Sequence, residues 1–445
     1  MGKSNKAIED STTKIWSALL LAVMALWPTY LLIKLGGLPA IDARRIAAGF
    51  SIVAMIYFLI ARKSYLNGRV NWASGPLQKG AVFVGIYALW RFASCFSAHA
   101  PLVSIVIVLW EVVYYYSMFF VGAIFFSRIH IQNWLMIVFM ALVVIISFFA
   151  GIEWLMEKNL LLQFAPVNEQ FAEFNKMLTI SRVRDGFYRA QSTFEHPLLL
   201  AEFSAIGVCF SLASILWNTK TKALSIFYTI VLILSVMAAA LTGSRSALIT
   251  IVVGAGVIIM LKLFSPKELV NGGQQFVRKL LFIAMLIGAV GVSIPLVQVI
   301  SEGKTNSERT STDGRVFMLN QGLENIEKRP IFGFGPGSAG ELAGIKTGSG
   351  VTTLDNYFLA IAIESGIPAL LLLFMCLLYP VWVIFNRMMN GSQYSVPFLV
   401  ATLGSLLVII LQHAILWMPY NMTFTYLFSG SALALLSTNS EIKLG

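Results

Sequence analysis

Residues 132–153 read QNWLMIVFMALVVIISFFAGIE, twenty-two positions with no Lys, Arg or Asp and with Glu only at the end. A helix rises about 1.5 Å per residue, so a run of roughly 20 apolar residues spans a hydrocarbon core about 30 Å thick. Similar blocks recur along the chain, at about 15–36, 46–62, 80–97, 102–127, 198–217, 223–241, 247–264, 279–300, 367–386, 394–414 and 420–438. The hydropathy criterion therefore predicts twelve spans and an all-α polytopic integral membrane protein. Composition agrees: 58% of the residues are apolar and 12% charged, where a soluble domain carries roughly 25% charged residues.

The blocks divide the chain into five regions. They are a five-helix membrane region (1–153), a first long loop (154–197), a central four-helix region (198–300), a large loop with amphipathic helices (301–366) and a three-helix membrane region (367–445). The first block is too long for a signal-peptide core and reads as a retained helix. Lys and Arg near span ends stay in the cytoplasm. That places the N-terminus inside, with Arg62, Lys63, Arg128, Lys220, Lys222, Lys262 and Arg387 on the same side. Both long loops then face the opposite side, the periplasm if the membrane is a bacterial inner membrane. The net charge of +11 reflects this topology and anionic lipid, so nucleic acid is not an expected partner. Cys95, Cys209 and Cys376 stand in separate apolar stretches without metal or redox spacing and read as small buried hydrophobes.

The first loop concentrates Lys176, Arg182, Arg184 and Arg189 against Asp185. In the second, Thr312 or Asp313 can cap a helix starting near Gly314, with Val316, Leu319, Leu323 and Ile326 on one face and Pro330 ending it. Such a helix would lie against the membrane. The glycine-rich stretch 331–350 favours tight turns or close backbone approach. A short helix over 355–365 comes next, parted from the next span by Gly366 and Pro368.

Walker A, HExxH and nucleophile-elbow motifs are absent, and no paired acidic motif suggests a divalent cation. Neither a metal nor a cofactor is expected. What stands out is a set of arginines at the outer span ends: Arg91, Arg184, Arg189, Arg245 and Arg315. Guanidinium binds phosphate bidentately, so a cluster is suited to a diphosphate. Arg245, in the turn TGSRSAL, equally suits snorkelling to headgroups or capping a helix. Asp355, in TTLDNYFL, suits a general base or an N-cap, and the two roles are compatible. His196, between Glu195 and Pro197, fits a helix start. Glu111, Glu202, Glu364 and His413 fall inside apolar blocks, where ionisable groups face the bundle interior and pair.

Four segments carry a resemblance to a known superfamily: FYRAQSTFEHPLLLAE (187–202), LTGSRSAL (241–248), GRVFMLNQGLENIEKRPIFGFGPG (314–337) and LDNYFLAIAIESGIPALLLL (354–373). Their order and placement resemble the O-antigen ligase and polysaccharide polymerase superfamily of bacterial envelope proteins. The resemblance implies a metal-independent, inverting glycosyltransferase of the integral-membrane (GT-C-like) kind, in the inner membrane with its active site facing the periplasm. It would act on an undecaprenyl diphosphate-linked glycan donor and a glycan acceptor, alongside a flippase and a chain-length regulator. The family's basic positions fall on Arg189, Arg245 and Arg315. Its ligase members carry His just before Asn in the last motif, where this chain has Asp355 before Asn356. That departure points toward a polymerase. The expected site is Asp355, Arg245 and Arg315 as catalytic residues, with Arg189, Arg184, Arg91, His196 and Asn356 binding diphosphate or glycan. A ligase that delivers glycan to lipid A core or protein is the nearest alternative, and a transporter or flippase is a more distant one.

Overall fold

The computed structural model describes residues 2–28, 31–33, 41–61, 75–164, 182–184, 186–217, 221–264, 306–346, 352–390 and 397–437. Within them apolar runs become helices, because in lipid every backbone N–H and C=O needs an internal partner. The helices are α1 (Gly2–Leu26), α2 (Ala43–Ala61), α3 (Pro76–Ser94), α4 (Pro101–Glu111), α5 (Ser117–Phe125), α6 (Ile129–Met156), α7 (Pro197–Trp217), α8 (Lys222–Leu241) and α9 (Arg245–Phe264). They continue as α10 (Asn306–Lys328), α11 (Ala339–Ala343), α12 (Tyr357–Met389), α13 (Pro397–His413) and α14 (Met422–Ser437). Proline opens α3, α4, α7 and α13, at the position where its missing N–H costs least. A π turn at Val112–Tyr116 joins α4 to α5.

Seven helices among the described residues are long and apolar enough to cross a membrane: Pro76–Ser97, Pro101–Phe125, Ile129–Met156, Pro197–Trp217, Lys222–Leu241, Arg245–Phe264 and Tyr357–Met389. Three shorter apolar helices accompany them, Ser11–Leu26, Pro397–His413 and Met422–Ser437. The chain is thus a polytopic helical membrane protein. The expected span at 279–300 lies outside the described residues.

α7 is the centre of the bundle, packed against α6, α8, α9 and α13. Phe139 of α6, Phe210 of α7 and Phe428 of α14 pack there as tilted rings, with centroids 4.9 Å and 4.8 Å apart along that series. α14 crosses α5 at two glycines, Gly122 and Gly430. A Cβ on Gly122 would strike the Leu427 carbonyl, and one on Gly430 the Phe119 carbonyl, so the helices meet backbone to backbone.

The large loop departs from expectation at its start. Its first helix starts at Asn306, ahead of the cap expected at Thr312 or Asp313. It seats itself through Met318, Gly322 and Asn325, while Val316, Leu319 and Leu323 are exposed. The short helix and the span after it, which together make up α12, are parted at Gly366 as expected, where the backbone leaves helical geometry at φ 79° and ψ 176°. The glycines of 333–337 serve chain crossing. Gly335 (φ 95°) lies on Ala98, and a Cβ on Gly333 would enter the backbone at Ile363 and Glu364. Ser104 Oγ donates to the Pro336 carbonyl at 2.8 Å, so this loop is seated on the α3–α4 connection.

Candidate functional site

Two polar constructions occupy the end of the bundle where α8 ends and where α7, α9 and α12 begin. The first is built by the segment 182–196. Val183–Arg184 (β1) pairs with Phe187–Tyr188 (β2), and Gly186 before β2 has φ 81°. Asp-Gly is a strong signal for such a hairpin, and it is legible at positions 185 and 186 although the spacing alone led to no expectation of one. Glu153, at the end of α6, fastens residues 188–192. Its carboxylate accepts from Tyr188 Oη at 3.0 Å, the Gln191 amide at 3.3 Å and the Ser192 amide at 2.6 Å. The Ala190 amide then reaches the Leu241 carbonyl at 3.0 Å, tying this segment to the α8–α9 turn.

Arg189 is held there by Nε, which donates to the Thr242 carbonyl at 2.8 Å. Burial first, and the charge of Arg184 second, bring its pKa down to about 10, so it is still a cation at neutral pH. Two arginines are therefore close enough to repel, which favours an anion between them. His196 accepts from the Leu198 amide through Nδ1 at 3.1 Å. Burial, then Arg189, lower its pKa to about 4, so it is neutral at pH 7. With Nδ1 as acceptor, Nε2 carries the hydrogen.

The turn opposite is Thr242–Gly243–Ser244. Ser244 Oγ accepts from the Ala247 amide at 3.4 Å and caps α9. Gly243 has φ 59°, and a Cβ there would lie 3.0 Å from the Phe187 ring and 3.3 Å from Arg189 Cγ. Arg245 comes next as the first residue of α9 and is exposed. The N-terminus of a helix is itself an anion-attracting end. Arg44 and Arg45, not anticipated from sequence, stand near the same segment. Arg44 lies over the Phe194 ring and donates to the Trp27 carbonyl at 2.9 Å, and Arg45 lies over the Trp110 ring.

The second construction pairs Arg315 with Asp355, Nε to Oδ2 at 3.1 Å. Its local cause is the seating of α10. The Asp355 amide contacts Met318 Sδ at 3.4 Å, and Arg315 stands one helical turn before Met318, so its guanidinium reaches the carboxylate. The side chains are 44% and 33% exposed. The cap of α12 is Asn356, whose Oδ1 accepts from the Leu359 amide at 3.1 Å, at φ 114°. Asp355, considered above as that cap, is left to face Arg315.

Arg91 is brought to neither construction. It is 1% exposed and bonded to Glu111, through Nε at 3.0 Å and through Nη2, and to Glu364 Oε2 at 2.8 Å, with Ser365 Oγ at 2.9 Å. These are the intramembrane partners whose pairing sequence left open. Glu202 and His413 supply the other pair, Oε1 to Nδ1 at 3.0 Å.

A polytopic helical membrane protein with a cationic turn and an Arg–Asp pair at one end of its bundle is the class this fold and site define. Residues 230–374 match the family described as O-antigen ligase, a similarity consistent with the wider O-antigen ligase and polymerase superfamily. The matched segment includes Arg245, Arg315, Asp355 and Asn356. No curated protein is matched by the chain.

Proposed function

We propose that the chain is a polysaccharide polymerase of the bacterial inner membrane, facing the periplasm. It would transfer an undecaprenyl diphosphate-linked glycan onto a sugar hydroxyl of another lipid-linked repeat, in exopolysaccharide, capsule or O-antigen assembly. The observation that carries this reading is the Arg315–Asp355 pair, a cation and a base side by side within the segment matched to the family. In the reaction the acceptor hydroxyl attacks the anomeric carbon, the bond from that carbon to the diphosphate breaks with inversion, and undecaprenyl diphosphate leaves. Asp355 takes the hydroxyl proton. Arg245, Arg315 and Arg189, with Arg184 beside it, stabilise the negative charge that grows on the diphosphate.

The resting ion pair fits this role energetically. An exposed pair is worth only about 0–1 kcal/mol, so a diphosphate can draw Arg315 from Asp355 at little cost and free the carboxylate as it does so. Asn356 and neutral His196 supply hydrogen-bonding groups for sugar at the two edges. Arg91, satisfied by two carboxylates, is assigned to bundle cohesion instead of the clamp.

A ligase is the second reading, favoured by the family description itself. Purified protein given lipid-linked repeat alone separates the two. A ladder of lengths supports polymerisation. Transfer that starts only once a different acceptor is added supports ligation. Membrane-stable Arg245→Ala and Asp355→Asn proteins with wild-type product would sink both.

A further inference from the structure

A third polar cluster lies inside the bundle where α13 ends. Glu202, Gln412 and His413 are 0% exposed and Asn421 1%. Asn421 Nδ2 donates to Glu202 Oε2 at 2.7 Å and to the Leu199 carbonyl at 3.0 Å. His413 Nδ1 lies 3.0 Å from the Ile409 carbonyl and 3.0 Å from Glu202 Oε1. A carbonyl only accepts, so Nδ1 carries a hydrogen and gives it to Ile409, which sets the ring's orientation beside the Glu202 carboxylate. His413 Nε2, Gln412 Oε1 and Glu202 Oε1 are buried with no hydrogen-bond partner. Well-packed apolar side chains would hold helices together at least as well as such a cluster, so cohesion alone does not account for it.

Its neighbours point to another role. The His413 ring meets the Tyr357 ring edge-on, centroids 5.2 Å apart at 75°, and Tyr357 stands two residues after Asp355. Gln412 Nε2 donates to Ser246 Oγ at 3.4 Å, and Ser246 is the residue after Arg245. The last two residues of α13 therefore touch both halves of the site.

We infer that His413, oriented by the Ile409 carbonyl and set beside the Glu202 carboxylate that Asn421 holds, is a positioning residue that holds Tyr357, and with it Asp355, in register with the Arg245 turn. This rests on the glycan-transfer reading above, so the experiment has two arms. In the first, wild type, His413→Phe and His413→Asn in nanodiscs are given lipid-linked repeat. Phe keeps the ring contact with Tyr357 but loses the Nδ1 hydrogen, whereas Asn keeps a donor. Kcat falls about tenfold to a hundredfold in H413F, the scale of a misplacement of order 1 Å, with KM and Tm near wild type, and H413N recovers most of it. Wild-type kcat in H413F, or a loss that simply tracks Tm, overturns the inference. No product from wild type overturns the functional reading instead. The second arm needs no activity: Arg245→Cys with Asp355→Cys is bridged by bis-methanethiosulfonates of graded length, the native cysteines being buried. A sharp length preference that broadens in H413F and sharpens again in H413N supports positioning. An unchanged profile overturns it.

Discussion

Arg189 illustrates how much of a residue's role is decided by its partners. Its charge was legible in the sequence. That Nε is taken by the Thr242 carbonyl, which leaves the terminal nitrogens for the proposed diphosphate, was not. Lysine keeps the charge but cannot make the carbonyl bond and bind a diphosphate bidentately at once. Arg189→Lys is expected to lower kcat/KM about tenfold or more, since charge-assisted bonds of this kind are worth about 1.5–3 kcal/mol, with unchanged abundance in membranes. His196 carries a pH prediction. Its folded pKa, about 4, lies below the roughly 6.5 of an unfolded histidine. The unfolded chain therefore binds the proton first, and the contribution to stability is full above about 6.5 and lost as pH falls toward about 4. Tm in detergent should drop across that window, and the drop should be shallower in His196→Asn.

At the scale of elements, position is set by contacts between segments distant in sequence. α3 and α12 are joined by a buried ion cluster in which Arg91 answers both Glu111 and Glu364. Removing the arginine leaves two uncompensated carboxylates in the bundle. Arg91→Ala should therefore cost about 3–5 kcal/mol, seen as loss of folded protein and a lower Tm, irrespective of any effect on transfer. The kink of α12 makes a second prediction. Gly366 has φ 79°, and a Cβ there would strike the Ile331 carbonyl. Gly366→Ala adds backbone strain of about 1–3 kcal/mol to that collision, and should displace the 331–337 loop. Protease accessibility of that loop, compared with wild type, checks it.

Across the whole molecule, the C-terminal helix closes the bundle on helices from the first third of the chain. α14 lies against α3 and α5 and completes the aromatic cluster with Phe424 and Phe428. Ending the chain before Met422 would expose the Gly122 face of α5 and half of that cluster. Such a truncation should abolish monodisperse protein on gel filtration, where a merely peripheral helix would leave the peak in place.

Apolar runs without a polar stripe are enough to specify membrane helices, since lipid forbids an unpaired backbone whatever the neighbours. The sequence therefore determined the fold class. It also determined the family resemblance and the residue types of the site, because four short motifs carry them locally. Which arginine serves which purpose was decided only by tertiary structure. Arg91 and Arg189 look alike at the ends of apolar blocks, yet one is neutralised by Glu111 and Glu364 and the other is held against Thr242. The same holds for Asp355, freed from capping because Asn356 takes that place, and for His413, whose partners lie on α7 and α12. Pairing in a bundle depends on which helix faces meet, and local sequence carries no record of that.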